Sequence, residues 1–338
     1  MTSTIPDDAT RFELGVDVDL PEDIDADEFQ VHCTRLAKIE GLSNFKALKK
    51  LVFVSTGLRE IEGLEENEGL EHLEIYQGCL SRIANISHLT RLKVLDLSFN
   101  NIKVIEGFES LLNLEKLYLS SNLIEKIENI SACKKVRVLE LGSNNISIVE
   151  NIEELSDLEE LWLGKNKIKE MFLPRRFDKL KLLSLQSNKL KTWSTEFLKN
   201  APKLESLYLG NNYLPDIPQD VIQALPSDSL EELDLASNRL TVMPKWSDAP
   251  GAGLPNLKEL WMNDNRVSDF DSLDNLSACP GLQTVYLERN LVQTQVPVEY
   301  LRKMKSICKG LAQLDSVPIQ RFTVIEDHVA QVSPILKH

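Results

Sequence analysis

One pattern, L-x-x-L-x-L-x-x-N-x-I/L, recurs along most of the chain and constrains its fold more than any other feature. It is plainest in LKVLDLSFNNI from Leu92, LEKLYLSSNLI from Leu114, VRVLELGSNNI from Val136 and LEELWLGKNKI from Leu158. It continues in LKLLSLQSNKL, LESLYLGNNYL, LEELDLASNRL, LKELWMNDNRV and LQTVYLERNLV, the last starting at Leu282. Two weaker copies start at Leu48 and Leu70, and a degenerate one near Ala26 places Phe29, Val31 and Leu36 in the apolar slots. The starts from Leu48 to Leu180 are 22 residues apart, and the later spacings are 24, 26, 27 and 25. Leucine supplies 55 of the 338 residues, the excess that a repeat of this kind requires.

The central L-x-L has period two, so its leucines point to one face of a short strand and the x residues to the other. One unit cannot bury its leucines alone; stacked units can. The chain is therefore expected to form a leucine-rich-repeat solenoid of about twelve repeats. Parallel strands should line the concave side of a curved rod, with 3₁₀ turns and short helices on the convex side. The Asn falls where the chain leaves the strand, and its amide can satisfy turn groups of its own and the adjacent unit. Nine copies keep it, from Asn100 to Asn290; Thr34, Thr56 and Gly78 replace it, which predicts a looser N-terminal end.

The longer units leave room for helices. STEFLKNAPKL, with Ser194 as cap, and Pro215–Pro226 read as helical. Met243–Asn256, rich in Pro and Gly, reads as an irregular surface loop. Residues 1–25 are acidic and are expected to be disordered at least to Leu20. Residues 26–295 form the solenoid. After Val292 the pattern stops; Glu299–Asp315 starts as a helix and returns to an L-x-x-L step, so 296–338 reads as a C-terminal cap.

Charge and motifs narrow the function. The net charge of −14 argues against a protein that neutralises phosphates or a membrane surface. No apolar run approaches the ~18 residues of a membrane span. The start of the chain has neither the basic residues nor the apolar core of a secretory signal. Cys33, Cys79, Cys133, Cys279 and Cys308 show no C-x-x-C spacing and read as free thiols. Asn85, Asn129, Asn145 and Asn275 begin N-x-S sequons, read as by-products of the repeat. The five histidines form no metal motif, and no nucleophile elbow or phosphate loop is present. The expectation is a chain with no metal, no cofactor and no catalytic activity.

The informative residues are the outward ones. Read down the stack, the x of L-x-L gives Gln30, Val52, Glu74, Asp96, Tyr118, Glu140, Trp162, Ser184, Tyr208, Asp234, Trp261 and Tyr286. This column holds two of the four tryptophans and three of the six tyrosines, and Glu160, Glu232, Glu259, Asp264 and Glu288 flank it. Aromatic residues favour strands for packing reasons alone. On an outward ladder with acids around them, they also have the composition of interface anchors with a charged rim. Strands about 4.8 Å apart would make eleven steps a surface roughly 50 Å long, enough to hold a globular domain.

The run LELGSN, LWLGKNKI, LSLQSNKL, LYLGNN, LDLASNRL, WMNDN and VYLERN resembles the leucine-rich regulatory subunit 7 family of protein phosphatase 1, over about residues 30–322. WMNDN and VYLERN are more telling than the generic repeat. The resemblance implies a non-catalytic subunit that holds the catalytic subunit of the type 1 serine/threonine phosphatase on its concave face. Matched repeat by repeat, the contact positions fall on Asp96, Tyr118, Glu140, Trp162, Asp234, Glu259, Trp261 and Tyr286. Tyr118 and Trp162 stand where the family carries phenylalanine. The family's terminal cap, with an Asp shortly before an Arg-Phe, is similar to Leu314, Asp315, Arg321 and Phe322. The last repeats are longer than the family's regular 22, and a tail follows Phe322. A nuclear and cytoplasmic location, a monomeric free state, a possible third phosphatase-regulating protein, and neither nucleic acid nor membrane as partner complete the expectation. The alternative is a leucine-rich-repeat adaptor of the ciliary or spliceosomal type, for a different protein partner.

Overall fold

The computed structural model describes residues 11–295 and 297–319. The chain divides into two compact units, Met1–Lys167 and Ile168–His338. The first carries β1 (Glu28–His32), β2 (Lys50–Val54), β3 (His72–Tyr76), β4 (Val94–Asp96), β5 (Lys116–Tyr118), β6 (Val138–Glu140) and β7 (Glu160–Trp162). Each strand pairs in parallel with the next in sequence, without register shifts. The leucines of L-x-x-L-x-L point inward, and Leu92, Leu95 and Leu97 have no exposed surface. Ile102, Ile105, Phe108 and Leu111 close the same turn from the other side and are equally buried. Cys133 takes a leucine slot in this layer; burial pushes its thiol up to about 11, so it packs as an inert apolar group. The 22-residue units return through single i→i+3 turns, such as Leu89 N–H to Ile86 O at 2.9 Å and Leu92 N–H to Leu89 O at 3.0 Å.

The Asn of the pattern ties the turns together. Asn144 Nδ2 donates to Leu119 O at 2.9 Å in the preceding repeat and to Leu141 O at 3.0 Å in its own. Its Oδ1 accepts from Ile124 N–H at 3.0 Å. Asn100, Asn122 and Asn166 repeat the arrangement, and all four are buried. The preceding residue, Phe99, Ser121, Ser143 or Lys165, holds φ between 55° and 58°. That left-handed geometry costs a non-glycine residue about 1 kcal/mol or more. It aims the N–H at the next strand, as in Ser121 N–H to Gly142 O at 2.8 Å.

The first repeats manage without the Asn. β1, β2 and β3 pair over five residues rather than three, so backbone hydrogen bonds take over part of the ladder's work. Gly78 stands in the Asn slot because a Cβ there would lie 2.7 Å from Asn100 Oδ1. The acidic start also departs from expectation. Phe12 N–H bonds Arg35 O at 2.6 Å, Ala37 N–H bonds Phe12 O at 2.9 Å, and Leu14 is buried. Leu14 is the apolar anchor of this stretch and Phe12 joins through its backbone, so residues 11–20 lie against the first repeats where composition suggested disorder.

The second unit carries β8 (Leu182–Ser184), α1 (Thr195–Lys199), β9 (Ser206–Tyr208), α2 (Gln219–Ile222), β10 (Glu232–Asp234), β11 (Glu259–Trp261) and β12 (Thr284–Tyr286). It ends in α3 (Leu291–Thr294), α4 (Pro297–Ile307), β13 (Gln313–Leu314) and β14 (Val317–Pro318). Ser194 caps α1 by accepting Phe197 N–H, as its sequence position predicts. Asn212, Asn238, Asn265 and Asn290 continue the amide ladder. Residues 243–256 are not an irregular surface loop. They form 3₁₀ turns at Trp246–Asp248 and Pro250–Ala252, and Trp246 is fully buried with Met243, Ala249 and Leu254. The tryptophan supplies the apolar area that the Pro and Gly content conceals.

β13 adds to β12 in parallel and turns back antiparallel into β14, which ends the repeat. Tyr300, Leu301 and Met304 of α4 are buried, and Asp315 accepts from Leu287 N–H at 2.7 Å and the Tyr300 hydroxyl at 3.2 Å. The Arg321–Phe322 pair and the tail lie outside the described residues.

Replacing Asn144 with Leu keeps its branched shape but strands three carbonyls and one N–H inside the turn. Asn144→Leu is expected to lower unfolding free energy by about 1–3 kcal/mol in urea titrations. An unchanged transition midpoint would contradict the ladder's role.

Candidate functional site

The register places the outward column as the repeat predicts. Glu74, Asp96, Tyr118, Glu140 and Trp162 stand in line in the first unit, and Ser184, Tyr208, Asp234, Trp261 and Tyr286 in the second. Two members do not face solvent: Val52 and Ser184 are buried, and the Ser184 hydroxyl has no hydrogen-bond partner. Asp96, Tyr118, Glu140, Trp162, Asp234, Glu259, Trp261 and Tyr286 are all half-buried rather than freely exposed.

In the first unit the acids are held in place from behind. Asp96 Oδ1 accepts Ser98 N–H at 2.8 Å, Glu140 Oε1 accepts the Ser120 hydroxyl at 2.7 Å, and Trp162 Nε1 donates to Glu160 Oε2 at 3.0 Å. Burial raises the Asp96 carboxyl above its ordinary value of 3.8, against the opposing pull of the Ser98 N–H. Burial, then the charges of Glu140, Glu160 and Asp96, raise the Tyr118 hydroxyl. Tyr76 and Phe99 stack at a tilt beside this row, 5.0 Å between ring centres. Lys116 is the one cation within strands β4–β7.

The second unit has the denser aromatic row. The Trp261 and Tyr286 rings lie parallel, 6.2 Å apart at 7°, and Tyr208 tilts against Trp261 at 6.4 Å. The Tyr208 hydroxyl donates to the Glu232 carboxylate. Burial and that bond push the hydroxyl up to about 12. Gln313 Nε2 donates to the Tyr286 hydroxyl at 2.6 Å. Asp234 accepts Ala236 N–H at 2.9 Å, and burial raises its carboxyl. Glu259 is raised too, by burial first and then by Glu232. Asp264 is the exception: Arg289 clasps it, with Nη2 to Oδ2 at 2.7 Å, and holds its carboxyl low. Strands β8–β12 carry no cation.

Sequence reasoning identified the column and missed its support. The position two residues after the column member reads Ser98, Ser120, Gly142, Gly164, Gly210 and Ala236 in six of the twelve copies, with larger residues such as Gln186, Asn263 and Glu288 in the others. These small residues leave space for the carboxylates to fold back onto the sheet; a Cβ on Gly210 would collide with the Asp234 carboxylate. The run Ser98, Ser120, Gly142 and Gly164, spaced by 22 residues, was the available signal. Among the described residues no cluster of His, Cys, Asp or Glu could hold a metal ion, and no helix is long and apolar enough to cross a membrane. The arrangement can offer flat aromatic area and several carboxylates whose charge is partly desolvated.

Comparisons with known proteins agree with the repeat. A leucine-rich-repeat family model matches residues 178–240, and a two-copy leucine-rich-repeat model matches 90–132 and 228–275. The protein phosphatase 1 regulatory subunit SDS22 of Schizosaccharomyces pombe is 39% identical over 71 residues, 21% of each chain. The protein phosphatase 1 regulatory subunit pprA of Dictyostelium discoideum is 36% identical over 68 residues, 20% of this chain and 19% of that one. Tubulin-specific chaperone E of Bos taurus is 31% identical over 120 residues, 35% of this chain and 22% of that one. The matches thus span about a fifth of these relatives' length. Among solved structures, an internalin of Listeria monocytogenes superposes with TM-score 0.65 at 20% identity, covering 86% of this chain and 87% of its own. A leucine-rich-repeat protein of Leptospira interrogans gives 0.65 at 23%, covering 83% and 76%. These two show the fold alone.

The raised Asp234 pKa has a consequence for stability. The folded state binds this proton more tightly than the unfolded chain, so stability falls as pH rises from about 3.8 through the raised value, and returns on acidification. Asp234→Asn removes the charge and keeps an acceptor. The variant is expected to melt at or above wild type at neutral pH, with the gap closing as pH falls towards 3.8. A lower melting temperature at every pH would contradict the desolvated-carboxylate reading.

Proposed function

The chain is a leucine-rich-repeat protein with relatives named as regulatory subunits of protein phosphatase 1, and on that footing we propose that it is itself a non-catalytic regulatory subunit for the type 1 serine/threonine phosphatase. The observation that carries the reading is the outward column: half-buried aromatics beside desolvated carboxylates, with Lys116 the one cation in β4–β12. Tyr118 and Trp162 in the first unit, and Trp261 and Tyr286 in the second, supply rigid contact area at low entropic cost. Asp96, Glu140, Asp234 and Glu259 select a basic surface on the catalytic subunit and speed its approach. A cation brought to Asp96, Asp234 and Glu259 restores the stabilisation that burial took from their carboxylates. Binding controls the phosphatase's assembly, location or activity, in nucleus and cytoplasm, with the free chain monomeric.

A second reading, an adaptor for another protein, is supported by the relatives named tubulin-specific chaperone E. Titration calorimetry against the phosphatase catalytic subunit separates the two. Under the phosphatase reading, Trp162→Ala and Trp261→Ala each weaken binding by about 2 kcal/mol or more, with little change in melting temperature. Glu140→Lys slows association. Wild-type affinity in the double tryptophan variant would sink the strand-face site. No binding by the unmutated chain would favour the adaptor.

A further inference from the structure

On the turn edge of the second unit, the residue after the ladder Asn reads Lys189, Tyr213, Arg239 and Arg266, before Leu291 follows the last, Asn290. All four are exposed, and so is Lys191. The backbone stacks them repeat on repeat: Tyr213 N–H bonds Leu190 O at 2.9 Å, Arg239 N–H bonds Leu214 O at 2.9 Å, and Arg266 N–H bonds Leu240 O at 2.8 Å. The Arg239 guanidinium lies over the Tyr213 ring, 5.0 Å from its centre. The same position in the first unit reads Asn101, Leu123 and Asn145 before Lys167, so the repeat itself does not demand a cation there.

The cations of this edge are not matched by ion pairs. Among the described residues Lys189, Lys191, Arg239 and Arg266 form no ion pair. Elsewhere in the unit, cations do find acids: Lys181 meets Glu205 at 3.1 Å, and Lys258 meets Glu231 at 2.6 Å. The acids nearest the edge in sequence have other partners, Asp264 being clasped by Arg289. Asp216 accepts Thr241 N–H at 2.6 Å, and Asp269 accepts Asp271 N–H at 3.0 Å and Ser272 N–H at 3.3 Å. In a chain of net charge −14, a row of unpaired cations one residue wide stands out from its surroundings.

We propose that the turn edge formed by Lys189, Lys191, Tyr213, Arg239 and Arg266 is a docking strip for an extended acidic segment of a protein partner. Three repeat steps of ~4.8 Å put Lys189 and Arg266 about 15 Å apart, the length of four or five extended residues. Carboxylates along such a segment meet one cation per repeat, and Arg239 and Arg266 can each grip one through two N–H bonds. Tyr213 gives the segment an apolar surface to lie on. A nucleic acid fits worse: Glu232, Glu259 and Glu288 on the adjoining strand face repel a polyphosphate. The inference is independent of the phosphatase reading, because the edge shares no residue with the outward column.

The test uses the full chain and a fluorescein-labelled oligoglutamate peptide, followed by anisotropy at about 50 mM salt. Saturable binding that weakens with added salt is expected. The Lys189→Glu/Arg239→Glu/Arg266→Glu variant should bind at least about tenfold more weakly with an unchanged melting curve. Lys181→Glu, a charge change elsewhere in the same unit, should bind as wild type. If the reversal variant does not fold, Lys189→Gln/Arg239→Gln/Arg266→Gln carries the same comparison. The proposal is overturned if the wild-type chain does not bind the peptide, or if the variants that fold bind it as well as wild type. It is also overturned if oligothymidylate binds more tightly than the peptide and is lost in the same variants.

Discussion

Everything in this molecule depends on a buried side-chain amide that cannot be satisfied within its own repeat. Asn122 donates to Leu119 O in its own turn and to Leu97 O in the turn before, and accepts Ile102 N–H from that turn as well. A single repeat would leave these groups unpaired out of water, at about 1–3 kcal/mol each. Stacking removes the penalty and buries the leucine layer in the same step. The strict register of the strands follows, because a slip of one residue would break amide bonds and turn leucines outward together.

That register gives the strand face its chemistry. Since each L-x-L presents one outward residue at a constant height, aromatic and acidic choices made repeat by repeat become continuous rows. The stack of Trp261 on Tyr286 and the tie of Tyr208 to Glu232 are cross-repeat contacts of this kind. Carboxylates in such a row sit close to one another and partly out of water, so they carry an unfavourable energy that a cationic surface relieves. On the turn edge of the second unit the same logic places the opposite sign, with Arg239 over Tyr213. Face and edge differ only in which residues the repeat leaves free to vary.

Much of this was legible from the residues. The period of the L-x-L pattern, the outward column, the Asn bonds across repeats, and the helices after Ser194 and around Gln219 all follow from local spacing and capping. Other features depend on relations between repeats that no short window displays. Phe12 and Leu14 dock although their neighbours are acidic, and Trp246 is buried among prolines and glycines that signal a loop. Asn85, Asn129 and Asn275 read as sequon by-products, yet each donates to a carbonyl of the preceding repeat at 2.7–2.9 Å. Asn85 and Asn129 share a left-handed turn position with Gly41, Gly63 and Gly107, spaced by 22 residues like the leucines. The half-burial of Asp234 was hidden for a similar reason, since Gly210 in the preceding repeat makes room for its carboxylate.

The central claim is that the outward column is a protein-docking face. Hydroxyl-radical footprinting of the full chain, alone and with the type 1 phosphatase catalytic subunit, tests it most directly. The account predicts loss of labelling at Tyr118, Trp162, Trp261 and Tyr286, with the exposed Leu112 in a return turn labelled equally in both states. Protection of Leu112 with unchanged labelling of the column, or no protection anywhere, would contradict it.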